Sequence, residues 1–190
     1  MKNLVIVLLT AFTHGFVQAQ FIKEKSISAG IGYGYTFPKE SLSPFSNRGF
    51  FAQGELVLKS TNWVSFRPYL GLVLNSSDSR DIYYIPANDR TSTKALMLGG
   101  KARLRAPIPY IAPYLEIGIG TSIGKFETIS SYDNINKNGI TYHIPFSLGV
   151  ELGKNHGVDL GLRYYFQPEI RQDVYVVAIG LVFPLNKKSK

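Results

Sequence analysis

From Ile27 onward apolar residues recur at every second position, the period of a β-strand, and no stretch shows the spacing of an amphipathic helix. In the first such run Ile27, Ala29, Ile31, Tyr33, Tyr35 and Phe37 share one face, and Ser28, Gly30, Gly32, Gly34 and Thr36 share the other. The alternation predicts eight strands, over 27–37, 50–59, 63–74, 94–105, 111–123, 140–152, 158–167 and 174–183. These segments exceed the ~5 to 6 residues usual for soluble sheets and fit the ~9 to 11 of a tilted strand that crosses a bilayer. Long and short connections alternate until the last. The long ones, including Asn75 to Thr93 and Gly124 to Gly139, are rich in Ser, Asn, Asp and Gly, as solvated loops are. Such an alternation places tight turns and both chain ends on one side of a membrane and long loops on the other.

Period two alone does not say which way the apolar face points, because a membrane barrel turns it outward and a soluble ligand-binding barrel turns it inward. The opposite face discriminates. It carries Gly30, Gly32, Gly34, Gly71, Gly99, Gly118, Gly120, Gly149 and Gly161, residues that weaken a water-facing strand but suit a crowded lumen. Eight strands close around a space that side chains just fill, so bulky groups need small ones opposite. Four acids and four bases share this face: Glu55, Glu116, Glu151 and Asp159 with Arg67, Lys101, Arg103 and Arg163. Unpaired charge in a narrow lumen is costly, so these eight are expected to form a hydrogen-bonded ion network, with Tyr69, Tyr114, Gln53 and Ser147 filling in. The alternative is a set of scattered charges on a wetted sheet, worth little. The fold expected is an all-β, eight-stranded antiparallel up-and-down transmembrane barrel with a side-chain-filled polar interior. Aromatics gather near strand ends, with Tyr33, Tyr35, Phe37, Phe50, Tyr142, Tyr164, Phe166 and Tyr175 at one rim and Trp63, Tyr110 and Phe183 toward the other, as interfacial girdles do.

The chain begins differently. Lys2 precedes an apolar core from Leu4 to Phe12, and Val17-Gln18-Ala19 supplies a short-residue cleavage site, so residues 1–19 are read as a signal peptide cut after Ala19. Residues 20–185 are then the barrel, and 186–190 a basic polar tail. No apolar run approaches the ~20 residues of a spanning helix.

Composition narrows the chemistry further. The chain has no cysteine, which excludes disulfides, thiolate metal sites and thiol nucleophiles. His143 and His156 stand beyond the leader without a carboxylate cluster, so no metal or other cofactor is expected. His143 shares its face with Ser147, but four residues of strand separate them by roughly 13 Å, so a hydrolytic dyad would need a serine from another strand; no enzyme is expected. The net charge of +8 is dispersed, apart from Lys187, Lys188 and Lys190 in the tail, which favours lipid headgroups over nucleic acid.

The stretches SISAGIGYGYTF, RPYLGLVL, APYLEIGIG and IPFSLGVELGKNHGVDLGLRYYF resemble the outer-membrane β-barrel domain family, which includes the small OmpX-like, OmpW-like and OmpA-like barrels of Gram-negative envelopes. Pro68-Tyr69 and Pro113-Tyr114 are similar to its ascending-strand pattern, and Lys154-Asn155-His156 to its tight turn. Gly180, Phe183 and Leu185 partly match its assembly signal, with Ala178 in the polar slot. The resemblance implies an integral outer-membrane protein that meets outer-membrane lipid, lipopolysaccharide and the barrel assembly machinery, as a monomer with periplasmic termini. Pro68, Pro113 and Pro145 fall inside expected strands, where a missing donor predicts a broken rung or a slipped register.

Function is then expected at the loops. Ile82, Tyr83, Tyr84 and Ile85 form an apolar patch that either contacts an extracellular protein or surface ligand or folds back on the rim. Three roles remain open: a structural or adhesive envelope barrel, an assembly or secretion accessory, and a soluble periplasmic barrel with inverted faces.

Overall fold

A computed structural model describes residues 22–38, 47–75, 90–129 and 134–185. The leader 1–19, the tail 186–190 and the patch Ile82 to Ile85 lie outside the described residues. Eight strands, β1 (Glu24–Pro38), β2 (Asn47–Lys59), β3 (Val64–Asn75), β4 (Arg90–Arg105), β5 (Ile111–Ile129), β6 (Asn134–Leu152), β7 (Val158–Gln167) and β8 (Gln172–Pro184), pair antiparallel with their sequence neighbours. β8 closes on β1, which completes an up-and-down barrel.

The ladder fixes the geometry. Stepping across partners from Lys25 leads through Leu58, Phe66, Ala102, Ile117, Phe146, Tyr164 and Tyr175 and returns to β1 at Tyr35. The offset is 35 − 25 = 10 residues. With eight strands this stagger tilts each strand about 40° from the barrel axis, and each step from β1 toward β8 climbs about 3 Å. Ile111, Leu115, Ile117, Ile119 and Ile123, all outward and exposed, therefore cover about 30 Å along the axis, the thickness of a bilayer core.

Apolar side chains point out and the glycine-rich, charged face points in. Ile117 and Ile119 are 61% and 69% exposed, while Glu116, next to Ile117 on the other face, is 1% exposed. An inverted ligand-binding barrel is inconsistent with that orientation. Trp63, Tyr110 and Phe183 are exposed at the end where the chain enters and leaves, and Tyr33, Phe50, Tyr142 and Tyr175 are exposed toward the other.

Two expectations are corrected. The segment Gly124 to Gly139, read as a loop from its composition, is largely strand, because β5 runs to Ile129 and β6 starts at Asn134, with rungs from Gly124↔Gly139 up to Ile129↔Asn134. The prolines do not shift register either. Rungs are missing beside Pro68 and Pro145, yet Glu55↔Tyr69 and Leu58↔Phe66 keep one register, as do Ile117↔Phe146 and Gly120↔His143. The neighbouring pairs hold the alignment while the missing donor costs one bond.

The tight connections are locked by their own hydrogen bonds. Val64 N–H donates to Thr61 Oγ1 at 3.0 Å, and Gly153 N–H donates to Tyr110 O at 2.9 Å. Gly153 sits at φ 93°, where a side chain would be strained. His156 joins two turns, its Nε2 lying 3.0 Å from Ile108 O.

Candidate functional site

The interior is the part of the molecule with the most concentrated chemistry, and strand parity positions it. Odd residues of β3, β4 and β7 and even residues of β5 face inward. The structure buries all eight charged residues Glu55, Arg67, Lys101, Arg103, Glu116, Glu151, Asp159 and Arg163 in the half of the lumen nearer the chain ends.

Glu55 accepts hydrogen bonds from Lys101 Nζ at 2.6 Å, Gln53 Nε2 at 2.7 Å and Arg67 Nη1 at 2.9 Å. Arg67 donates on to Glu151 at 2.7 Å. Arg103 is the hub: its Nε donates to Glu116 at 2.6 Å, and its Nη1 donates at 2.6 Å to both Glu151 and Asp159. Lys101 also reaches Glu116 at 3.1 Å, and Tyr114 hydroxyl donates to Asp159 at 2.8 Å. Arg163 is held more loosely, 3.7 Å from Glu55 and above the Phe51 ring. Arg103 also stacks on Tyr114, 3.5 Å from the ring centroid.

Sequence reasoning missed a ninth member. Arg105 donates to Glu151 at 2.7 Å and, with its other nitrogen, to Asn62 O at 2.9 Å. The signal was present, since Arg105 follows Lys101 and Arg103 at the same parity.

Two tyrosines explain much of the glycine. The Tyr69 hydroxyl lies against the cross-strand pair Gly99↔Gly120, and the Tyr114 hydroxyl against Gly149↔Gly161. A Cβ on Gly161 would come within 2.5 Å of the Tyr114 oxygen, and one on Gly99 within 2.7 Å of the Tyr69 oxygen. Each ring lies along the inner wall over the next two strands, Tyr69 over β4 and β5 and Tyr114 over β6 and β7, and takes the volume their glycines vacate.

The other half of the lumen is different. Phe51, Val73, Met97, Tyr165, Val174 and Val176 pack into an apolar cluster, crossed by polar links from Asn75 to Thr36 at 2.6 Å and Thr93 to Gln172 at 2.8 Å. At its top the 3-10 turn Pro168–Ile170 folds inward, and Ile170 packs fully buried against Ala95 and Phe126. Glu169 of that turn accepts from Lys137 at 2.5 Å and Thr141 at 3.0 Å on β6. Those two donors hold its carboxyl below the usual carboxylate range.

His143 does meet a serine from another strand. Ser122 Oγ on β5 lies 2.8 Å from Nδ1, while Tyr69 hydroxyl lies 2.5 Å from Nε2. A serine-activating base needs a cleft that admits substrate. His143 and Ser122 are both 0% exposed, and both ring nitrogens are engaged, so the arrangement works as a tie between β3, β5 and β6. Among the described residues no group of His, Asp and Glu has metal-binding geometry.

A closed eight-stranded barrel with a 30 Å apolar exterior and a filled lumen has the architecture of the small outer-membrane barrels. Solved structures agree. Neisserial surface protein A superimposes with a TM-score of 0.55 at 14% identity, over 84% of this chain and 96% of that one. The N-terminal β-barrel domain of Pseudomonas aeruginosa OprF gives 0.52 at 12% identity, over 85% and 99%. The shared property at these identities is the fold. No protein-family model matches the chain, and no curated protein does.

Proposed function

We propose that this chain is an integral, monomeric outer-membrane barrel with both termini in the periplasm, whose role is structural or recognition-based and carried at the end away from the termini. The observation that supports it best is the lumen. A conduit needs continuous water, and here the Arg103-centred ion network fills one half while an apolar cluster sealed by Ile170 fills the other. The barrel then serves as an anchor, and recognition falls to segments 39–46, 76–89 and 130–133 and to the rising sheet of β4, β5 and β6. Among the described residues the contact between His143 and Ser122 is buried, which weighs against a hydrolytic role such as lipid A modification. Export through the leader and insertion by the barrel assembly machinery belong to the same reading.

The test has two parts. Purified protein reconstituted in planar bilayers is expected to give no steady conductance. Cells that express a chain lacking 78–88, including Ile82 to Ile85, are expected to keep the barrel, seen as heat-modifiable migration, while losing surface adhesion. Open-channel currents from the wild type refute the anchor reading, and lost secretion with intact adhesion moves the role to an assembly or secretion accessory.

A further inference from the structure

Lys94 and Lys125 are direct cross-strand partners on β4 and β5, and both point outward. Like charges in that position repel. Neither ammonium has a hydrogen-bond or ion-pair partner among the described residues. The pair stands one step beyond Leu96↔Ile123, the last apolar rung of the outward band on these strands, about 5 Å farther along the axis. That is the depth at which lipid phosphates meet the hydrocarbon edge. Glu127, a further step out, is the nearest carboxylate on this face of the two strands.

An apolar groove of about 650 Å³ lies on the outer wall of β8 and β1 to β4, and its lining reaches as far toward the lysines as Leu96. Ala29, Ala52 and Gly54 form its floor, and Leu70, Leu72 and Leu96 form its wall on the lysine side. Leu96 is the next outward residue after Lys94 on the same strand. Gly54 differs from the glycines inside, because a Cβ there would meet nothing within 4 Å. Its φ is not positive, so neither packing nor backbone strain accounts for it. The groove's volume lies in the range of small-molecule clefts, and its lining is almost wholly apolar.

We propose that this face seats a phosphate-bearing membrane lipid, with one acyl chain in the groove over Gly54 and its phosphate bridging Lys94 and Lys125. The phosphate relieves the repulsion between the two ammoniums, and the chain fills a depression that a smooth barrel wall would not have. The proposal rests on the membrane-spanning orientation above and adds to it a specific site.

The experiment uses the full chain in phosphatidylcholine nanodiscs that contain one-tenth lipid A, with retained lipid read by native mass spectrometry after transfer to detergent. Wild type is expected to retain lipid A in preference to phosphatidylcholine. Lys94→Gln with Lys125→Gln is expected to lower that preference by about five-fold per lysine, roughly 25-fold in all. Gly54→Leu fills the groove and is expected to reduce retention with the lysines intact. Inorganic phosphate at millimolar concentration is expected not to compete. Heat-modifiable migration checks that each variant remains folded. Equal preference in wild type and the double variant overturns the proposal, and full competition by phosphate with no effect of Gly54→Leu overturns the acyl-chain half. Insertion without preference sinks this site alone, whereas failure of the wild type to enter nanodiscs sinks the membrane reading beneath it.

Discussion

The Tyr69 hydroxyl and His143 Nε2 meet at 2.5 Å directly over Gly120 on the inner wall, and the space in which they meet exists because Gly120 has no side chain. A Cβ on Gly120 would also come within 2.7 Å of the Leu98 carbonyl, so the residue is boxed in by backbone and by two rings. Gly120→Ala is therefore expected to destabilise by ~1–3 kcal/mol through overpacking. Gly54→Ala, which adds a methyl to open space on the outer wall, is expected to leave stability nearly unchanged. The midpoint of heat-modifiable migration in detergent measures both, and equal shifts for the two would refute the cradle.

Arg103 bonds three carboxylates at once, so its removal leaves Glu116, Glu151 and Asp159 underpaired and buried. Arg103→Met is expected to cost ~3–5 kcal/mol, the usual result of breaking one side of a buried ion pair. Arg67→Met is expected to act in the same direction. Lys59→Met, which removes a partly exposed pair with Glu24, is expected to change stability by no more than ~1 kcal/mol. Urea titrations of the refolded barrel rank the three, and a Lys59→Met loss equal to that of Arg103→Met counts against the network.

Glu169 ties the 3-10 turn to β6. Its folded carboxyl lies below the ordinary range, so this contribution is present above the unfolded value near ~4 and is lost as pH falls through the lower folded value. The turn is expected to stay docked from pH 7 down to about 4 and to loosen below. The Ile170 methyl signals in an NMR titration report it directly. Glu169→Gln is expected to abolish the transition, and an unchanged titration in that variant assigns the effect elsewhere.

The Ser122, His143 and Tyr69 tie is expected to be mechanical. Ser122→Ala is expected to lower the unfolding midpoint and leave the acyl pattern of membrane lipids unchanged in cells that express it. A deacylated lipid produced by the wild type and lost in Ser122→Ala would instead make Ser122 a nucleophile.

Parity made the barrel wall and the charged lumen readable in sequence, because a residue's face follows from its position in an extended strand. Glu55, Arg67 and Glu116 could be placed on one side without coordinates for that reason. What parity does not encode is long-range support. The composition of Gly124 to Gly139 reads as loop, yet these residues are strand because β4, β5 and β6 extend alongside one another, from Arg90↔Ile129 to Ile129↔Asn134. Ile170 gives no local sign that it would turn into the lumen and close it, since that depends on β7 and β8 being shorter than the hairpin beside them. His143 was placed inward, but its serine partner sits on the neighbouring strand, beyond the reach of spacing along one segment.

The seam between β1 and β8 sets the order of assembly. Ser26 is the register partner of Pro184, and Leu185 N–H donates to Lys25 O at 2.9 Å, so the ladder that closes the ring joins residues almost a whole chain apart. Until the last strand emerges, every partial structure exposes two raw sheet margins and half-formed ion pairs, a slow and aggregation-prone situation. Closure therefore comes late and all at once, and a truncation that removes β8 is expected to leave no smaller stable ring behind.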